Sequence, residues 1–370
     1  MIQLNQEFID RILDNACEIQ SIPAPTFNEQ ARAEYFLEKF SALGLQDVQR
    51  DETGNVLGRL PGGDARPIVV SAHMDTVHPL GTRLGVQVLS DRLTGPGIGD
   101  NALGLSALLG LLQWLQDNHV RLPGSLWAVA NVAEEGLGDL RGMRAVVDRF
   151  EGQPVAYLVL EGMGLGTILH RGLGVERYRI TVETPGGHSW VNYGQPSAIH
   201  ELCGLVTQIT AINLPHNPCT TMNVGMIQGG TSINTIAPHA WLELDLRSEG
   251  KTALASLVYE VQRRTRMLER NDVRVRMERI GQRLAGELPE KHPLVELAKN
   301  ALAELGLETR LDIASTDANQ PLSRGYPAVC VGITNGSNAH AADEYILTAP
   351  VANGIKQVIY IVTRAWEKLA

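Results

Sequence analysis

The stretch "RPIVVSAHMDTVHPLG", residues 66–81, decides how the rest of the chain is read. It starts as an unbroken apolar run at 68–70 and stops abruptly at His73, Asp75 and His78. A short run of β-branched residues without polar alternation reads as a strand covered on both faces, as in the middle of a parallel sheet. The polar cluster that follows is then either a solvated strand end or one side of a ligand site.

Three more runs have the same shape: "GSLWAVANVA" (124–133), "VAYLVLEG" (155–162) and "YPAVCVGIT" (326–334). Helical patterns at 102–117 and 140–150 separate them. Strands alternating with helices predict an α/β domain, a mostly parallel sheet with helices on both faces. In an open sheet of that kind ligands bind beyond the carboxyl ends of the strands. The residues that follow each run are therefore telling. They are His73 and Asp75 after the first, Glu134 and Glu135 after the second, and Glu161 in the third. After the fourth, His340 follows in a Gly/Asn loop. "GPGIGDN" (95–101) sets Asp100 just ahead of an apolar helix.

The middle of the chain is patterned differently. "RYRITVET" (177–184) alternates like a half-exposed strand, followed by a helix at about 196–213. The strands "TTMNVGMIQG" (220–229) and "AWLELDLRS" (240–248), a helix at 251–269 and the strand "DVRVRMERI" (272–280) complete a β-α-β-β-α-β order. That order is the ferredoxin-like one. The expectation is an α+β domain, 175–282, inserted into a first domain made of 1–174 and 283–370. The helix "HPLVELAKNALAELG" (292–306) returns the chain to the first domain.

Composition narrows the function classes. The 370 residues carry a net charge of −9, which argues against non-specific nucleic-acid binding. Four cysteines with no C-x-x-C pair argue against a disulfide framework or a thiolate zinc site. The N-terminal 20 residues read as an amphipathic helix rather than a signal peptide, and "LGLSALLGLLQWLQ" (103–116) is too short to cross a bilayer. A cytoplasmic protein without nucleic-acid or membrane partners is expected.

Two imidazoles and several carboxylates at one sheet edge suit divalent cations, with one carboxylate able to bridge two ions. An adjacent acid pair can supply one ligand and one general base. Each element has a plainer reading. A strand-end histidine is often a hydrogen-bonded surface residue, neighbouring glutamates often form a solvated patch, and Asp100 could simply cap a helix. The joint pattern weighs against those readings, because independent strand ends deliver metal-compatible groups to one edge. "GPGIG" also looks like a phosphate-binding loop, but no apolar strand runs into those glycines and no acid follows at the spacing a nucleotide site needs.

The pieces "SAHMDTVHPLGT", "GPGIGDNALG", "NVAEEGLGDLRGM", "VLEGM" and "STDANQPLSRGYPAVCVGITNGSNAHAADEY" together resemble one family. It is that of the cocatalytic (dinuclear) zinc metallopeptidases, with glutamate carboxypeptidase, peptidase T, acetylornithine deacetylase and succinyl-diaminopimelate desuccinylase. The resemblance implies that His73 and Glu161 hold one metal, Glu135 and His340 the other, and Asp100 bridges them. It implies Glu134 as general base, Asp75 as the residue orienting His73, and no ligand role for His78. It implies that 175–282 is a lid/dimerisation domain on a catalytic metal-binding domain, and in "TPGGHSW" it makes His188 a candidate for stabilising the oxyanion across a homodimer. In "GGTSINTIAPHAWLELDLRS" it makes Asn234 and Arg247 candidates for binding substrate. Two divalent ions are implied, Zn²⁺ first, with Mn²⁺ or Co²⁺ as alternatives. The implied activity is that of an exopeptidase cutting a peptide or amide bond near the end of a small peptide, with a metal-bridging water as nucleophile. The alternative is an N-acyl amino acid deacylase using the same site. Asn101 beside the bridge and the alanine after His340 depart from the usual pattern, and the loop "STDAN" (315–319) has no assigned role. A binding protein without activity is the remaining alternative, against which the intact Glu134 argues.

Overall fold

The four apolar runs are strands and lie side by side. In the computed structural model, which describes residues 2–369, the order is Gly124–Asn131, Ala65–His73, Ala156–Met163, Ala328–Thr334, all parallel. These strands read as continuous hydrophobic runs because both faces are covered. Residues 68–73 and 328–334 are buried without interruption. Antiparallel strands close the sheet at its sides: Gln46–Arg50 and Val56–Leu60 beyond one edge, Thr167–Gly172 beyond the other.

Register decides what the strands deliver. His73 pairs with Asn131, Ser71 with Val159, and Gly332 with Glu161. The carboxyl ends are thus level, and the residues after them emerge on one edge. The helix Leu103–Asp117 packs behind this edge on three of the central strands and on the helices Gln6–Ser21 and Val351–Leu369. It is buried around most of its surface, and its Ser106 hydroxyl is satisfied by the Ile12 carbonyl at 2.6 Å.

A second, small sheet was not legible in the sequence. Gly336–Ser337 and Tyr345–Leu347 form a hairpin, and Tyr345–Leu347 also pairs with Arg92–Thr94. The "Gly/Asn loop" carrying His340 is therefore the tip of a hairpin. That hairpin is docked on the strand leading into the glycine-rich segment 95–100.

Cα packing divides the chain into two units. One runs to Gly172 and resumes at Gly286; the other is Leu173–Ala285. The second holds a four-stranded antiparallel sheet in the order Thr220–Gly229, His239–Ser248, Gly174–Glu183, Arg274–Arg283. Helices Ala198–Thr210 and Lys251–Arg266 cover it, and Ile180, Leu202, Leu242 and Val261 are in its own fully buried core. The strand order is that of a ferredoxin-like unit. The overall class is a parallel-centred α/β sheet flanked by helices, with an α+β insertion. No helix among the described residues is long and apolar enough to cross a membrane.

Candidate metal centre

Each strand end contributes a side chain to one cluster. His73 ends its strand buried, with Nε2 3.0 Å from Asp100 Oδ1 and 3.7 Å from Glu161 Oε2. His340 Nε2 lies 3.1 Å from the other oxygen of Asp100 and 3.1 Å from Glu135 Oε1. One carboxylate thus faces two imidazoles, one oxygen to each. Three overlapping groups of ligand atoms form there: His73, Asp100, Glu161; Asp100, Glu135, His340; and His73, Glu134, Glu135. His78 packs against Gly97 but belongs to none of these groups, and its Nε2 is buried without a hydrogen-bond partner.

The backbone of the cluster is held from behind. His73 Nδ1 lies 3.0 Å from the backbone carbonyl of Asp75, closer than the 3.5 Å to the Asp75 carboxylate. A proton on Nδ1 donated to that carbonyl leaves Nε2 a free lone pair, the tautomer a ligand needs. The Asp75 carboxylate works mainly elsewhere. It accepts the amides of Glu134 (2.9 Å) and Glu135 (3.0 Å) and the Thr26 hydroxyl (2.9 Å). The orientation of His73 therefore comes chiefly from the main chain of Asp75, and its carboxylate positions the two glutamates. His340 (φ 69°) and Ala133 (φ 57°) both sit in left-handed backbone. Non-glycine residues persist there only where surrounding contacts over-determine them.

Charge completes the description. Burial works against ionised Asp100, yet hydrogen bonds from His340 and His73 hold it well below the usual carboxylate range. Hydrogen bonds to Asp100 and Glu135 push His340 up to about 10. Burial opposes protonation of His73, but Glu161, Asp100 and Asp75 together raise it well above its ordinary value. Burial pushes Glu161 up to about 7 against the pull of His73. These protons stand where cations would stand. Asp75, Asp100, Glu134, Glu135 and Glu161 concentrate negative charge, and the nearby buried Arg32 spends Nε and Nη1 on the carbonyls of Ile22 and Met74. A partly buried N/O set with surplus negative charge fits divalent ions.

Sequence reasoning missed several supporting residues. Glu344 is fully buried and accepts backbone amides from the loops of both Asp100 and His340. Asn101 donates to the Leu160 carbonyl (2.8 Å) and accepts from the Gly162 amide (2.9 Å), so it grips the strand on either side of Glu161. In the "STDAN" loop, buried Asp317 accepts from Asn131 at 2.7 Å. Acidic and amide residues in turns carry no local signal of burial, so nothing in the sequence separated these from solvated neighbours.

In the second unit, His188 and Asn234 come together. Gly187–His188 pairs with Thr235–Ile236, and the Ser189 amide donates to the Asn234 carbonyl at 3.0 Å. His188 Nδ1 accepts the amides of Trp190 (3.2 Å) and Val191 (3.4 Å), which places the proton of the neutral ring on the exposed Nε2. Arg247 is paired in a fork with Asp245, Nε to Oδ1 at 2.9 Å and Nη2 to Oδ2 at 3.1 Å. It already holds a carboxylate from its own strand.

The model described as peptidase family M20/M25/M40 matches residues 69–367. An uncharacterised protein of Bacillus subtilis, YqjE, is 24% identical and aligns over 96% of this chain and 98% of its own. The cytosol non-specific dipeptidase of Escherichia coli is 26% identical over 70% of this chain and 58% of its own length. Among solved structures, a tripeptidase from Staphylococcus aureus superposes with a TM-score of 0.80 at 21% identity, covering 97% of this chain and 99% of that one.

Proposed function

The chain belongs to peptidase family M20/M25/M40 and is a hydrolase, and on that premise we propose a metal-dependent exopeptidase that cuts a peptide or amide bond near the end of a small peptide. One observation carries the reading: Asp100 faces His73 Nε2 at 3.0 Å with one oxygen and His340 Nε2 at 3.1 Å with the other. A carboxylate so placed is suited to bridging two ions, with His73 and Glu161 on one side and Glu135 and His340 on the other.

Bound there, two divalent ions would lower the pKa of a shared water towards about 7 and polarise the scissile carbonyl. The residues of the chain supply the rest. Glu134, held through its amide by Asp75, takes the proton of the attacking water and passes it to the leaving amine. His188, with its proton on Nε2, donates to the developing oxyanion, with Asn234 beside it. Arg247 clamps a substrate carboxylate only by giving up Asp245. The substrate is a small peptide, the site of action cytoplasmic, and the working form a homodimer in which His188 serves the partner's centre.

Hydrolysis of a mixed panel by the metal-loaded protein, read by mass spectrometry, tests this. Free-amine tripeptides, N-blocked dipeptides with free carboxylates, and N-acetyl and N-succinyl amino acids belong in it. Cleavage of either peptide set supports the exopeptidase and fixes its direction. Cleavage of the acyl amino acids alone makes it a deacylase. No cleavage with both metals bound overturns the proposal.

A further inference from the structure

The segment "GPGIGD" (95–100) has the composition of an anion-binding loop, and the structure identifies the anion. It is internal: the Glu344 side chain, fully buried. Glu344 Oε1 accepts the amides of Gly99 at 2.6 Å and Asp100 at 2.7 Å. Its Oε2 accepts the amides of Gly97 at 3.2 Å and His340 at 3.3 Å. The Glu344 carbonyl also takes the amide of Gly95 at 2.8 Å. Gly97 has φ 75°, the left-handed conformation that lets successive amides turn towards one point. A side chain at Gly99 would meet Met163 and Ile346 within 3 Å, so only glycine lets the loop lie this close.

We propose that Glu344 is the positioning residue of the metal centre, resting on the dinuclear reading above. Two of its four donors are the main-chain amides of the candidate ligands themselves. Those ligands, Asp100 and His340, lie far apart in sequence, and their side chains meet at 3.1 Å. The width of one carboxylate sets the spacing of their backbones. Oε1 fixes the bridging aspartate and Oε2 fixes the histidine, so the two oxygens have separate jobs. Four backbone amides from two segments converge on this one side chain.

Glutamine at 344 keeps the volume but has a single acceptor oxygen, so one pair of amides loses its partner and faces an NH₂ group. Retention of the short Gly99 and Asp100 bonds leaves His340 unheld. The test is titration of metal-free wild type, Glu344→Gln, Glu344→Ala and Asp343→Asn with Co²⁺ alone, followed by visible absorption, with melting of each metal-free protein. Asp343 is the exposed neighbour that accepts from Asn338 in the hairpin tip. The expected result is two Co²⁺ equivalents for wild type and Asp343→Asn. In Glu344→Gln the second equivalent weakens about 10–100-fold, the first moves by no more than a few-fold, and the metal-free melting temperature stays near wild type. Two wild-type-like equivalents in Glu344→Gln would overturn the proposal. Equal weakening of both equivalents with a lowered metal-free melting temperature would also overturn it, making Glu344 a residue of the fold alone. A wild-type protein that takes up no Co²⁺ overturns the metal reading itself, and the brace with it.

Discussion

Glu134 and Glu135 are chemically identical neighbours, both about 6% exposed, and the proposal gives them different work. Both glutamates group with His73, and Glu135 also reaches His340 at 3.1 Å. If Glu134 is the base and not a ligand, Glu134→Gln lowers kcat by about 10²–10⁴-fold. It does so while still binding two metal equivalents; loss of metal along with activity would make it a ligand. The protons on the cluster give a second prediction. Hydrogen bonds to Asp100 and Glu135 push His340 up to about 10, neighbouring carboxylates raise His73 well above its ordinary value, and burial pushes Glu161 up to about 7. Ligands must shed those protons to bind metal, so affinity rises as pH goes from 6 to 8 and falls in the other direction. Calorimetry in buffers of different ionisation enthalpy should show net proton release on metal binding throughout that range. At His188 the two amides on Nδ1 leave only Nε2–H to donate. His188→Ala is expected to lower kcat about 10²–10³-fold with metal content unchanged.

At the scale of elements, the central strands were legible because their apolar runs are short, β-branched and bounded by turn residues. The buried helix Leu103–Asp117 was legible from its length and apolarity. The hairpin that carries His340 was not. Its strands are two and three residues long, with no period to read, and they form only because Arg92–Thr94 offers a partner from far away in sequence. Asn101 was legible only as a departure from a motif. In the structure it joins the start of a helix to the strand end that holds Glu161. Removing its amide leaves the Leu160 carbonyl and the Gly162 amide unpaired in the interior. Asn101→Ala should therefore destabilise the protein by about 1–3 kcal/mol per orphaned group, read as a shift of the denaturant midpoint at constant slope.

At the scale of the whole molecule, the second unit has its own sheet, two helices and a closed core. Residues 173–285 expressed alone are expected to unfold cooperatively with dispersed amide resonances; a molten product would show that the core depends on the rest of the chain. Its strand Thr220–Gly229 is a sheet edge with Met226 and Ile227 more than half exposed. An edge of that kind is a template for pairing with a second copy. If that edge carries the proposed homodimer, Ile227→Lys converts it to monomer in size-exclusion chromatography with light scattering.

Unaided, the sequence determined the strands, their polar ends and the types of group gathered at one edge. Hydrophobic periodicity and turn residues are local quantities, and the rule that ligands sit at the carboxyl ends of parallel strands needs only the strand order. The family motifs narrowed the candidates further, to His73, Asp100, Glu134, Glu135, Glu161 and His340. Tertiary structure alone decided how those residues are held. It set the Asp75 carbonyl beside the Asp75 carboxylate at His73 Nδ1, engaged Arg247 with Asp245, and filled the glycine-rich loop with Glu344. The first two join residues only two apart, whereas the third joins Glu344 to a loop 245 positions away, a meeting that depends on the path of the whole chain. A buried carboxylate and a solvated one are the same letter in a sequence; only the surrounding amides tell them apart.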